Sequence, residues 1–142
     1  MTTIRWPDLP DDHFLHVAGF RVVESDDATV DAVVEVDVRA DLQNGHGALQ
    51  GGMVASLVDI TAGRAVRLRV PPGSSFSTRD LSVHYLAGVT VGPARAVARI
   101  RQASRRTYVV QLDVHDAGGG DRLCAVATVT YAVRPPPDEH SL

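Results

Sequence analysis

Apolar and polar residues alternate from Thr29 to Val38. Val30, Ala32, Val34, Val36 and Val38 fall on one side, Thr29, Asp31, Glu35 and Asp37 on the other, and only Val33 breaks the polar side. A period of two over that length predicts a strand with one buried and one wet face. A polar, glycine-rich loop follows at residues 41–50, and then the period changes. From Gly51-Gly52 to Arg69, the residues Met53, Val54, Leu57, Val58, Ile60, Ala62, Ala65, Val66 and Leu68 recur at helical spacing and cover most of the circumference over the first turns. That predicts one long helix buried on several sides. Arg64, Arg67 and Arg69 suit its negative end, and Pro71-Pro72-Gly73 stops it.

Ahead of these elements, residues 10–18 read as a short amphipathic helix with Asp11 and Asp12 in its first turn, ended by Gly19; a strand at 20–25 and a turn at 25–27 come next. Behind the long helix the pattern predicts strands only, at 76–86, 94–103, 107–115 and 123–133, separated by turns rich in glycine, proline and polar residues. The expectation is an α+β fold: one long central helix wrapped by a curled, mainly antiparallel sheet of five to six strands. Sheet edges left open by that arrangement predict at least a dimer. Residues 1–17 read as an arm carrying the short helix, 18–134 as one domain, and the proline-rich 135–142 as a flexible tail.

Composition narrows the function. The 142 residues carry a net charge of −3, with 44% hydrophobic and 22% charged side chains, which excludes a disordered chain. The same charge argues against a protein built to grip a nucleic acid backbone. All fourteen basic residues are arginine, so Schiff-base chemistry and a phosphate-loop lysine are excluded. Cys124 is the one cysteine, which rules out an intrachain disulfide and a cysteine zinc cluster. His13 and His16 stand three apart without a third ligand, so neither a metal nor another cofactor is expected. The N-terminal stretch has no basic-then-apolar leader pattern and no run reaches bilayer length, so the expectation is a cytoplasmic protein with no membrane partner.

Candidate chemistry converges where the loop meets the helix. Glycines 45, 47, 51 and 52 let backbone amides approach a ligand, and the first N–H groups of the helix lack intrahelical acceptors. Such donors suit a developing oxyanion. Asp59 stands two turns into the apolar helix, where a carboxylate is costly unless paired or working. On residue type alone it reads first as a hydrogen-bonded structural carboxylate, with a loop amide as one partner.

The stretch Asn44-Gly45-His46-Gly47-Ala48-Leu49-Gln50-Gly51-Gly52, followed by Asp59, resembles the signature of the hotdog-fold acyl-CoA thioesterases, most of all their phenylacetate-pathway branch. Asn44, Gly47, Gly51, Gly52 and Asp59 match in place. The segment from Thr78 to Leu86 is similar to that family's third-strand motif, and Arg105-Arg106 falls in a turn where the family carries basic residues; the likeness spans residues 18–133. Gln50 stands where the family has histidine. It can donate a hydrogen bond but cannot exchange a proton near neutral pH. His46, four residues upstream, reads either as a partial substitute in substrate binding or as an exposed loop residue.

The resemblance implies a homodimer, or a dimer of dimers, that hydrolyses an acyl-CoA thioester without a metal. The Gly51 N–H, beside Gly52, would hold the thioester oxygen, and the partner's Asp59 would act as general base or nucleophile. Asn44 and Thr78 would position water or the carboxylate, Gln50 would orient the carbonyl, and Arg105 and Arg106 would meet the coenzyme A phosphates. Each has a plainer reading as well: a turn residue for Asn44, an ordinary strand threonine for Thr78, solvated turn arginines for Arg105 and Arg106. The acyl pocket is expected along the dimer interface, lined by Met53, Val54 and residues of the 76–86 strand. Two rival functions are a non-catalytic acyl-CoA-binding protein and a hotdog dehydratase, whose His-Phe-Pro-Gly loop the sequence lacks.

Overall fold

The computed structural model describes residues 3, 4, 6 and 8–138. The elements in chain order are β1 (Thr3–Ile4), α1 (Phe14–Val17), β2 (Arg21–Val23), β3 (Ala32–Val36), α2 (Gly51–Arg69), β4 (Ser75–Tyr85), β5 (Ala94–Ala103), β6 (Thr107–Asp116) and β7 (Arg122–Arg134), with a 3-10 turn at Ala40–Leu42 before α2. All strand pairs are antiparallel, in the order β1-β2-β3-β5-β6-β7-β4. Six of these strands are those the alternation predicts. The seventh, β1, is a two-residue strand in the arm, where none was expected.

The sheet curls around α2 because its central strand gives the helix room. Ala94, Ala96 and Ala98 of β5 alternate inward and are fully buried, while Arg95 and Arg99 point outward. Against that strip α2 lays a single buried stripe, Val54, Leu57, Val58, Thr61, Ala62, Ala65 and Val66, at spacings of three and four. The helix is therefore not buried all round, as its composition suggested; Leu68 is 61% exposed. Among the described residues no helix is long and apolar enough to cross a membrane.

Two other expectations change. The first helix is one turn, not two, because His13 rather than Pro10 caps it, its Nδ1 accepting from the Leu15 N–H at 3.1 Å. Asp11 and Asp12 thus precede the helix. The β3 strand has no wet face: all five of its residues are buried. Neighbours on both sides complete it, with Val23, Val33 and Val97 in register, and with Glu35 between Arg21 and Arg95. The Arg95 Nε donates to Glu35 Oε2 at 2.8 Å.

One carboxylate holds the β5 end of the sheet together. Asp116 is buried at 1% exposure, and its side chain accepts from the backbone N–H groups of Thr90, Val91 and Gly92 at 3.0, 3.2 and 2.7 Å. Burial pushes its pKa up, but the backbone donors outweigh that and hold it below the usual carboxylate value. Its contribution to stability is therefore complete above the unfolded value of about 4 and is lost as pH falls through the lower folded value. Asp116→Ala orphans three donors and is expected to cost about 2–4 kcal/mol in urea unfolding at pH 7, with the gap to wild type narrowing below about pH 3.5.

Candidate active site

Asp59 falls one position outside the buried stripe of α2, so its half-buried carboxylate turns toward β4 and β7. The Thr78 hydroxyl donates to Asp59 Oδ1 at 2.7 Å. The Tyr131 hydroxyl lies 2.9 Å from the same oxygen and 2.8 Å from the Asp59 carbonyl oxygen. Thr78 and Tyr131 are direct cross-strand partners, and the register shifts immediately after Thr78, so Arg79 bulges out of β4. A bulge kinks a strand locally and re-aims the side chain beside it. Asp59 is thus held by two hydroxyls from adjacent strands rather than by a loop amide.

Tyr131 is buried. Desolvation, the largest influence, drives its pKa up; the Thr78 hydrogen bond opposes this, and the Asp59 charge adds to it. The hydroxyl therefore stays a donor at any ordinary pH. It reaches Asp59 past Gly63, where an added Cβ would sit 3.3 Å from the Tyr131 oxygen. Phe76 meets the Tyr131 ring edge-on at 5.8 Å, and the Arg67 guanidinium lies 5.2 Å over Phe76. Beside this group opens a cleft of about 580 Å³ lined by Trp6, Leu15, Ile60, Gly63, Arg64 and Phe76, among others. The sequence placed Met53 and Val54 in the acyl pocket. Val54 is instead sealed in the core, whereas Met53 is only half-buried, at the core's margin.

The loop before α2 is held by Asn44. Its Oδ1 accepts from the His46 and Ala48 N–H groups at 2.9 and 3.2 Å, so the side chain serves its own turn. His46 is exposed, and Gln50 is an exposed helix cap whose side chain makes no capping bond. The Met53 and Val54 N–H groups donate to the Gln50 carbonyl. Among the described residues the Gly51 and Gly52 N–H groups meet no acceptor. The Tyr85 hydroxyl donates to the Gly51 carbonyl at 2.6 Å. Gly51 and Asp59 are eight residues apart, about 12 Å along the axis. Of the predicted residues, then, one protomer brings Asp59 to Thr78, and gathers Asn44, His46, Gln50, Gly51 and Gly52 at the other end.

Arg105 and Arg106 lie exposed in the β5–β6 turn. Arg106 lines an outer cleft of about 480 Å³ together with Arg79, Arg134, Ser75 and Ser77, whereas Arg105 does not. Among the described residues no carboxylate is in ion-pair range of Arg79, Arg106 or Arg134. Arg101 is engaged with Gln111 at 2.7 Å.

The sequence missed Tyr131, Tyr85 and Arg134. For Tyr131 one signal was present: Gly63 in mid-helix, where glycine costs about 1 kcal/mol against alanine and so calls for a packing reason.

A protein-family model described as the thioesterase superfamily matches residues 46–121. A candidate esterase of Saccharolobus solfataricus is 30% identical over 88 residues, 62% of this chain and 62% of that protein. The matches span only about three-fifths of the curated relatives' lengths. A Bacillus halodurans protein crystallised with CoA is 26% identical with a TM-score of 0.72, covering 84% of this chain and 74% of its own. The Escherichia coli protein PaaI, from the phenylacetic acid degradation operon, has a TM-score of 0.74 at 20% identity, covering 86% of this chain and 84% of its own. That last likeness shows the shared hotdog fold.

Proposed function

Since the chain belongs to the thioesterase superfamily, we propose that it hydrolyses an acyl- or aryl-CoA thioester in a site shared by two protomers. The observation that carries this reading is the Asp59 carboxylate, tied at one oxygen and half-exposed next to Ile60, which lines a cleft of mixed apolar and charged side chains. The oxyanion donors stand about 12 Å away on the same helix, too far to serve the same carbonyl. Two antiparallel copies of α2 would bring one protomer's Gly51 N–H to its partner's Asp59. The eleven-residue strand β4 supports such pairing: it ends the sheet, is mostly exposed, and leaves Leu81, Tyr85 and Leu86 uncovered.

In the reaction the thioester carbonyl accepts from the Gly51 N–H, where negative charge grows. Asp59 supplies the electron pair, either as base that takes a proton from the attacking water or as nucleophile on the carbonyl carbon. Collapse of the tetrahedral species breaks the C–S bond. By the first route the thiolate takes the proton that Asp59 received from water. By the second it leaves an acyl anhydride on Asp59 that water hydrolyses to the free acid, supplying the thiol proton. Thr78 orients the carboxylate; Asn44 shapes the loop that presents Gly51; Gln50 and His46 flank the entry. The acyl group occupies the cleft beside Ile60 and Phe76, which the arm's Trp6 and Leu15 help to close. Arg106, with Arg105 beside it and Arg79 and Arg134 across the outer cleft, meets the phosphates of coenzyme A. Residues 18–134 form the catalytic unit in this reading.

Free-thiol release from short, medium, long and aryl acyl-CoAs tests it. Turnover on at least one of them is expected. Tight acyl-CoA binding without thiol release would favour the non-catalytic binder, a reading motivated by Gln50 standing in place of an imidazole. On a substrate that turns over, Arg106→Ala is expected to raise KM about tenfold, leave kcat unchanged, and leave the matching pantetheine thioester unaffected.

A further inference from the structure

We infer that Tyr131 is a positioning residue for Asp59: with Thr78 it ties down Oδ1 and leaves Oδ2 as the reacting oxygen. As a statement about turnover this rests on the thioesterase reading above; as a statement about the carboxylate it does not. Both hydroxyls converge on one carboxylate oxygen, at 2.7 and 2.9 Å. Among the described residues nothing donates to Oδ2. A carboxylate on a helix turns freely about two side-chain torsions, and two donors on one oxygen remove that freedom before substrate arrives. The single Tyr131 hydroxyl proton is shared between Oδ1 and the Asp59 carbonyl oxygen at 2.8 Å, so it bridges the side chain and backbone of the residue it orients.

The surroundings are shaped for this contact. Tyr131 is buried, braced by Phe76, and its hydroxyl sits over Gly63, the glycine in the middle of the helix. Alanine there would be the better helix former by about 1 kcal/mol, yet would press a methyl group to 3.3 Å from the hydroxyl. Stability of the helix is given up where the carboxylate gains a donor.

The test is read in two ways, one of them independent of turnover. Tyr131→Phe keeps the ring and removes the donor, so the Asp59 carboxylate loses a hydrogen bond to its charged form. In crystal structures of the two proteins, the carboxylate is expected to hold one rotamer in wild type and to turn away from that position, or spread over more than one, in the variant. On a thioester that wild type hydrolyses, kcat is expected to fall about tenfold with KM within about twofold. Gly63→Ala is the second variant: it is expected to unfold at a temperature no lower than wild type and yet to lose turnover in the same direction. An Asp59 carboxylate held in the wild-type rotamer in Tyr131→Phe, or unchanged kcat in both variants, would overturn the inference. Wild type that releases no thiol while the carboxylate turns as expected in Tyr131→Phe would instead overturn the thioesterase reading and leave the Tyr131–Asp59 coupling standing.

Discussion

Asp59→Asn is expected to lower kcat by a hundredfold or more, a loss of about 3 kcal/mol of transition-state stabilisation, while KM stays within about threefold. The substitution is conservative in structure. The amide oxygen of asparagine can take the place of Oδ1 and accept from Thr78 and Tyr131 as the carboxylate does. What changes is the second position, where an NH₂ group that cannot accept a proton replaces Oδ2. Steady-state thiol release beside a thermal unfolding curve separates the two consequences: activity falls and the melting temperature holds. Equal rates in the two proteins would remove Asp59 from the mechanism.

Gly51→Pro is expected to cost a further comparable factor, about 10²–10³ in kcat, through a different atom. Proline at the first helical position is well tolerated, since its fixed φ suits a helix start and the missing N–H has no intrahelical acceptor there. The residue before it, Gln50, already has an extended backbone with φ −51° and ψ 137°, as a residue preceding proline prefers. A Cβ at position 51 meets only the Tyr85 ring, at an ordinary 3.6 Å. The variant therefore deletes the hydrogen-bond donor and sets the proline Cδ in place of its hydrogen, at the position assigned to the thioester oxygen. Unchanged kcat would exclude the Gly51 N–H as the oxyanion donor.

Much of the architecture was legible because alternation and helical spacing are local signals. β5, β6 and β7 show them plainly, and the helix announces itself by a change of period. What failed was whatever depends on a neighbour in space. Val33 and Glu35 looked like the wet side of a strand, but β2 and β5 supply Val23, Val97, Arg21 and Arg95 to cover and pair them. The long helix looked apolar all round, yet only residues 54, 57, 58, 61, 62, 65 and 66 of it are buried.

The candidate site divides the same way. Asp59 and the glycines came from a contiguous motif and could be read directly. Thr78 was readable only through the family likeness. Tyr131 enters the site through the β4–β7 register and the bulge at Arg79, which no local pattern announces. Asn44 shows the reverse: its motif position suggested a role toward substrate, while its Oδ1 is spent on the His46 and Ala48 N–H groups.

A doubly tagged heterodimer tests the shared site most directly. One chain carries Asp59→Asn and the other Gly51→Pro; the two are co-expressed and purified through both tags. Each variant alone spoils both sites of its homodimer. In the heterodimer one site joins an intact Gly51 to an intact Asp59 from opposite protomers, so about half of wild-type turnover is expected per dimer. A heterodimer no more active than either variant alone would contradict a site assembled from two chains.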